Sequence, residues 1–572
     1  MEKYVFTFDR ARFLVGRNFS LVLASHRRYK DYGTCTSYLY QYQNLILEFL
    51  DFFNPISNSN MKRLPSLLAS AFLLAASAVA QSVNPAGYDQ PYRPQYHFSP
   101  QMHFMNDPNG LVFFKGLYHL YYQYNPTQLV AGNQSWGHAT STDLIHWTNL
   151  PIAIPEMVGG PTPGQIFTGS AVVDANNTSG FFDGHPGGGL VAIYTLNEPT
   201  KEVQNVAYSL DNGTTYKEFK NNPVLDLQNP NFRDPKVFWY APGNQWIMAV
   251  ALPRAHQVLF YGSKNLKKWK FLSAFGPAGI DGYQYECPNL FQVPVQGTNE
   301  MKWILIVAIN PGAPLGGSMN QYFVGNFDGT TFTPDDGVAR LMDFGKDFYA
   351  VQTYNNTPSG EAIAVGWMSN WQYTQEVPTF PWRGVFTVPR FLSLRQNPTQ
   401  TGALLVQTPV SLNSLHDKTL FSGSTTVSPG SPVTIPTQGN SSFEFETTVL
   451  GGGNGRLDIN ILNDAGEEVT VGVDWDNNGQ IYVERGQTNG FSNRYFTNDF
   501  SMQESNDDNT ITLHVLVDRS VLEVFVDDGI QVCTTSFFMA GGPPTKMQWQ
   551  ATNNPVLVQD LQAYTLKSIW PK

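Results

Sequence analysis

The sequence predicts an all-β protein, a five-bladed β-propeller catalytic domain followed by a β-sandwich, and three observations carry that prediction. The 572 residues are 14% aromatic and only 14% charged, with 49 Gly and 38 Pro, a turn-rich balance that suits strands joined by tight corners. Between about 105 and 400, a strand, a turn and an aromatic residue recur, ending at Trp147, Tyr216, Trp269 and Phe332. Polar clusters at Asp107, Ser170, Asp234, Glu286 and Asp347 precede those segments, at steps of 63, 64, 52 and 61 residues. Steps of that size hold one four-stranded blade with its loops. The first strand of a blade lines the channel, so five clusters at near-equal steps imply five blades converging on one axial pocket.

Ahead of the repeat, Met61-Lys62-Arg63 opens a segment with an apolar stretch from Leu67 to Ala76. Ala78-Val79-Ala80 then precedes Gln81, which is the pattern of a cleaved signal peptide over 61–80. The apolar run is too short to span a bilayer, so no membrane association is expected after cleavage. A signal ordinarily begins a chain, so Met61 reads as the initiator and residues 1–60 as a non-native or disordered extension. Secretion agrees with Asn-x-Ser/Thr acceptors at Asn133, Asn176, Asn177, Asn212, Asn355 and Asn440, each of which predicts a surface loop. Of the three cysteines, Cys35 lies in the extension, and Cys287 and Cys533 are too few for a disulfide scaffold. The net charge of −11 is spread along the chain with no basic run, which argues against a nucleic-acid partner.

The propeller is placed at 92–400. Strand-like runs fill it at Leu111–Phe114, Leu190–Thr195, Trp246–Ala251 and Trp303–Ile309, with a hairpin over Leu111 to Tyr124 turning at Lys115-Gly116. The polar stretch from Gln396 to Gly402 reads as the end of the repeat, and 401–418 as a linker. Short alternating strands at Phe443–Val449, Glu468–Trp475, Ile481–Arg485, Ile511–Val517 and Val521–Val526 place the sandwich at 419–572. Gly451 to Gly455 lacks the strand–helix context of a phosphate loop and reads as a hairpin end.

Three acids carry the chemistry. Asp107 sits in Met-Asn-Asp-Pro-Asn-Gly, where Pro108 holds it extended and Asn109-Gly110 tolerates positive φ. Glycosidic cleavage needs one carboxylate to attack or to activate water, and one carboxylic acid to protonate the leaving oxygen. Asp107 and Glu286 fit those roles. A separation of about 5–5.5 Å between them would mean retention through a covalent intermediate. Asp234, beside Arg233 and ahead of Pro235, is suited to gripping sugar hydroxyls and favouring a cationic transition state. Crowding by two anions should raise the pKa of Glu286 while Asp107 stays ionised. The histidines His97, His103, His138 and His146 show no metal-ligand spacing, so neither metal nor other cofactor is expected. Cys287 reads as a buried thiol beside the acid. Trp136, Trp371 and Trp382 are candidates for stacking on a sugar face.

Met-Asn-Asp-Pro-Asn-Gly, Gln123-Tyr-Asn-Pro, Trp136-Gly-His138, Phe-Arg-Asp-Pro and Tyr285-Glu-Cys-Pro together resemble the motifs of glycoside hydrolase family 32, and most of all its secreted yeast and fungal invertases. The resemblance spans roughly 92–572. It implies release of β-fructofuranosyl units from sucrose or short fructans with retention, using Asp107 as nucleophile, Asp234 as transition-state stabiliser and Glu286 as acid/base. It also implies that Asn106, Gln123, Phe167, Ser170, Arg233 and Trp382 surround the fructose, and it allows a homo-oligomer formed through the sandwich. Three positions depart from the family pattern. Phe104 and Ala131 stand where Trp is usual, and Asn289 where Gly follows Glu-Cys-Pro. Such departures bear on specificity, so a fructosyltransferase remains the alternative to a hydrolase. A non-catalytic fructan-binding module is the third reading, although it would be expected to lose Asp107 or Glu286.

Overall fold

The computed structural model describes residues 4–8, 11–15, 87–157, 163–396, 402–451, 453–503 and 510–571. The segment 61–80, expected to be a signal peptide, lies outside the described residues, as does most of 1–60. Within that extension Tyr4–Phe8 and Ala11–Val15 form one antiparallel pair.

From residue 87 onward the chain builds the expected ring of five blades, two of four strands and three with a short fifth strand added, and a sandwich. The inner strands are His103–Phe114, Gln165–Val173, Arg233–Tyr240, Tyr285–Pro294 and Tyr349–Thr353. Each is followed outward by antiparallel neighbours in sequence order, the topology that short hairpin turns impose. In the first blade the turn falls at Lys115-Gly116, both at positive φ, as a two-residue hairpin with the sheet's own twist requires.

Five apolar layers hold the ring, one between each pair of neighbouring blades. The strand Gln245–Leu252 shows how. Ile247 and Ala249 point toward the fourth blade, where they meet Leu290 and Leu305. Met248 and Val250 point the other way, onto Val191 and Val206 of the second. Side chains alternate between faces, and both faces are covered, so the strand reads as one continuous apolar run.

The fifth blade corrects the domain boundaries. Ala403–Pro409 pairs along its length with Arg390–Gln396 and completes that blade. The stretch expected to be a linker therefore contributes an outer strand to the fifth blade, a short turn at Asn413–Leu415 and the start of the sandwich strand His416–Val427. Polarity at its start does not separate a linker from a segment that bears strands. The sandwich is made of two six-stranded sheets closed over an apolar core that includes Phe445, Val471, Val515 and Trp549.

The two domains share buried charged groups. Arg390 of the fifth blade donates to Glu523 of the sandwich, and Glu523 also accepts from the Val388 amide. His97 bridges Glu523 and Asp518 at 2.9 and 3.0 Å with no side-chain exposure. Buried charges persist only when paired in this way. The paired groups fix the segment leading into the first inner strand.

Candidate active site

Every inner strand is irregular at the same level. The pairing register shifts between Met105 and Pro108, Ile166 and Gly169, Arg233 and Lys236, Glu286 and Asn289, and Tyr349 and Gln352. Such bulges re-aim side chains at the rims of closed sheets. Here they turn one cluster of polar groups to the axis. Asp234 and Cys287 sit at positive φ, 66° and 46°, conformations held by the surrounding structure. Gly110 is also required at its bulge. Its φ is +55°, and an added Cβ would lie 2.7 Å from Tyr121 and 2.8 Å from Trp136.

The bulges open into a pocket of ≈ 320 Å³ that brings Asp107, Asp234 and Glu286 together with Asn106, Gln123, Phe167 and Arg233. Asp107 accepts from Asn106 Nδ2 at 3.0 Å, from Thr168 Oγ1 at 2.7 Å and from Cys287 Sγ at 3.4 Å. Asp234 accepts from the Cys287 amide at 2.9 Å, and its own amide donates to Thr195 Oγ1 at 3.0 Å. Glu286 is the most open of the three, its side chain 15% exposed. It accepts from Arg233 Nη2 at 2.9 Å and from Tyr349 Oη at 2.5 Å. Arg233 is steadied from behind by Glu202, at 3.2 Å from Nη1.

Burial raises the pKa of Asp107, against hydrogen bonds from Thr168 and Asn106 that pull it down. Burial also raises Asp234, with Glu286 and Asp107 adding and Arg233 opposing. Crowding among the three acids thus adds to burial at both aspartates, Glu286 raising each and Asp107 also raising Asp234.

Two expected sugar contacts lie elsewhere. Ser170 Oγ donates to the Pro235 carbonyl at 2.9 Å and accepts from the Val237 amide at 2.8 Å. It is two residues further down the channel than Thr168, and it ties the second inner strand to the third. Trp382 is buried beneath the pocket, with Arg93 stacked on its ring at 4.5 Å, and its segment pairs with His103–Phe104. Trp371 lines the pocket instead, backed by Phe104 and Trp367. Trp136 is core, its Nε1 donating to the Phe167 carbonyl at 3.0 Å. In the fifth blade Tyr349 reaches the pocket, whereas Asp347 is drawn to Arg485 and Tyr373. Thr168, Gln134, Asn310 and Tyr349 were not singled out in the sequence, nor was Glu202. Glu202's only sequence signal is an acid at the start of an otherwise buried strand.

The departures from the family pattern also find places. Asn289 is buried and hydrogen-bonded to Gln352 and Thr353 at 2.7 Å each. Ala131 lines the pocket mouth. Among the sequons, Asn355 is corrected: its Nδ2 donates to the Ala171 and Val237 carbonyls at 2.8 and 3.0 Å, inside the ring.

A solvent-open pocket with three convergent carboxyls and a paired arginine, at the axis of a propeller, is the site of an enzyme that cleaves glycosidic bonds. The chain belongs to glycoside hydrolase family 32. The family's N-terminal domain matches residues 97–409 and its C-terminal domain residues 393–565. An invertase of Schizosaccharomyces pombe is 41% identical over 510 residues, covering 85% of this chain and 87% of its own. An extracellular exo-inulinase of Meyerozyma guilliermondii is 43% identical over 471 residues, covering 78% and 90%. Among solved structures, the Aspergillus awamori exo-inulinase superposes with a TM-score of 0.79 at 36% identity, covering 85% of this chain and all of the other. A Schwanniomyces occidentalis fructofuranosidase complexed with fructose does so with a TM-score of 0.76 at 37% identity, covering 83% and 98%.

Proposed function

We propose that Asp107, Asp234 and Glu286 divide the work of a retaining β-fructofuranosidase that hydrolyses sucrose and short fructans. Asp107 attacks the anomeric carbon of the fructosyl unit while Glu286 protonates the departing glycosidic oxygen, leaving a fructosyl ester on Asp107. Glu286 then takes a proton from water, the water oxygen bonds to the anomeric carbon, and Asp107 departs as a carboxylate. Asp234 and Arg233 hold the sugar hydroxyls and favour the positively charged transition state. Asn106, Gln123 and Phe167 complete the fructose wall, with Thr168, Tyr349 and Trp371 added to the set expected from sequence.

The observation that carries this reading is the pairing of environments. Asp107 is buried on a fixed bulge with three side-chain donors, and Glu286 stands at the open side where a leaving group would exit. Secretion is supported by the 61–80 segment and by relatives named extracellular exo-inulinases.

Asp107→Asn is expected to lower kcat/KM on sucrose by about 10⁴-fold or more. Equal release of glucose and fructose by the parent enzyme at high sucrose is expected. Full activity in Asp107→Asn would overturn the mechanism.

A further inference from the structure

Asn133 lies within the wall of the pocket mouth. Its neighbours Ala131, Gly132 and Gln134 all line the pocket, and Gln134 donates to Asn106 at 3.1 Å. The Asn133 side chain itself turns outward, its amide meeting Thr127 Oγ1 at 3.1 Å in an exposed setting. Its φ of 50° suits asparagine. Asn133-Gln134-Ser135 is an N-glycosylation acceptor.

The other acceptors sit differently, since none of them, the exposed Asn176 included, adjoins a pocket-lining residue in the chain. Asn355 is held inside the ring, as described above. Asn440 donates to the Leu566 carbonyl at 2.9 Å and Asn177 to Asp183 at 2.8 Å. Asn212 is exposed and open, but it accepts from Lys115 at the far end of the first inner strand. Asp107 and Lys115 are eight residues apart, and at ~3.3 Å per residue Asn212 marks the opposite face of the ring, roughly 25 Å from the catalytic level.

We propose that Asn133 carries an N-linked glycan that screens the pocket mouth and restricts the enzyme to short substrates. The inference rests on the β-fructofuranosidase reading and on passage through a secretory route. A pocket of ≈ 320 Å³ is at the small end for ligand sites, so it takes a chain end and leaves the remainder of a polymer outside. Sucrose has almost nothing outside. An inulin chain must thread past the rim, where a bulky hydrated glycan on Asn133 competes for the same space. The screen therefore acts on long substrates and spares the chemistry.

The test uses the full chain secreted from a eukaryotic host, with glycopeptide mass spectrometry and kcat/KM on sucrose and on long-chain inulin. Asn133 should be occupied. Asn133→Gly, which removes the acceptor while suiting positive φ, should leave kcat/KM on sucrose within about twofold and raise it on inulin about threefold or more. Endoglycosidase trimming of the unmutated enzyme should reproduce that change, so a folding defect in the variant does not decide the outcome. An empty Asn133 beside an occupied Asn212 overturns the proposal and leaves the secretory reading intact. No occupancy at any acceptor of the secreted chain likewise overturns the proposal, whereas failure of the chain to be secreted on its own 61–80 segment falls on the secretory reading. An occupied Asn133 whose removal leaves the inulin-to-sucrose ratio unchanged overturns the screen. Failure to cleave either sugar before any change would instead fall on the enzymatic reading.

Discussion

Replacing Asp234 with asparagine should stabilise the folded chain at neutral pH while removing activity. Asp234 is 4% exposed, and its carboxyl is raised from 3.8 to about 8, by burial first and then by Glu286 and Asp107 against Arg233. Above pH 3.8 the unfolded chain releases this proton while the substrate-free folded chain keeps it, and a cationic transition state at the site would favour its release. The folded state binds more protons in that window, so stability falls as pH climbs from about 4 toward about 8. At ~1.4 kcal/mol per unit the full displacement corresponds to a ceiling of roughly 5–6 kcal/mol. Part of it belongs to Asp107 and Glu286, whose charges act on the same site, so about 1–3 kcal/mol should be recovered at pH 7.5. Asparagine keeps an oxygen for the Cys287 amide, so no donor is orphaned. Thermal unfolding of parent and Asp234→Asn at pH 4.5 and 7.5 reads the effect. The variant should gain about 1–3 °C at pH 7.5 and little at pH 4.5. An equal difference at both pH values, or a variant less stable at pH 7.5, would refute the linkage.

Two further perturbations follow from the same electrostatics. Thr168→Val removes the 2.7 Å hydrogen bond that pulls the Asp107 pKa down, so the acid limb of kcat/KM should move to higher pH. A limb that stays put or moves lower would show that another group sets it. His97→Gln breaks the bridge between Asp518 and Glu523. Burial alone would lower the His97 pKa, but the two carboxylates raise it to about 9. Its contribution is therefore complete below pH 6.5 and lost as pH rises through about 9. Calorimetry should show a loss of about 3 kcal/mol at pH 6 that shrinks toward pH 9.5, and a constant difference would contradict the pairing.

Periodicity made the ring legible, and it failed where depth along the axis mattered. The spacing of Asp107, Asp234 and Glu286 placed three acids on three inner strands, and all three reach the pocket. Ser170 shares that spacing, but the bulge between Ile166 and Gly169 presents Thr168 to Asp107 and leaves Ser170 one step below, serving backbone groups of the next blade. A period of two tells which face a residue occupies and nothing about its level. The same limit explains Asp347, which stands two residues ahead of the inner strand proper and is captured by Arg485, while Tyr349 takes the axial place.

Motif resemblance failed in a different way at Trp382. An aromatic residue beside Arg383 reads as a sugar platform, but a platform must be reachable, and reach depends on which segment lies over it. Here Arg93 stacks on the indole, and the same arginine donates to Ser99 and to the Pro100 and Gln101 carbonyls. The strap before the first blade therefore covers one side of Trp382, which is buried and does not line the pocket, whereas Trp371 does. That covering contact joins residues some 289 positions apart, and no local pattern encodes it. The parts of the site that local chemistry does encode are the ones fixed by a bulge and a proline, and those are the three acids.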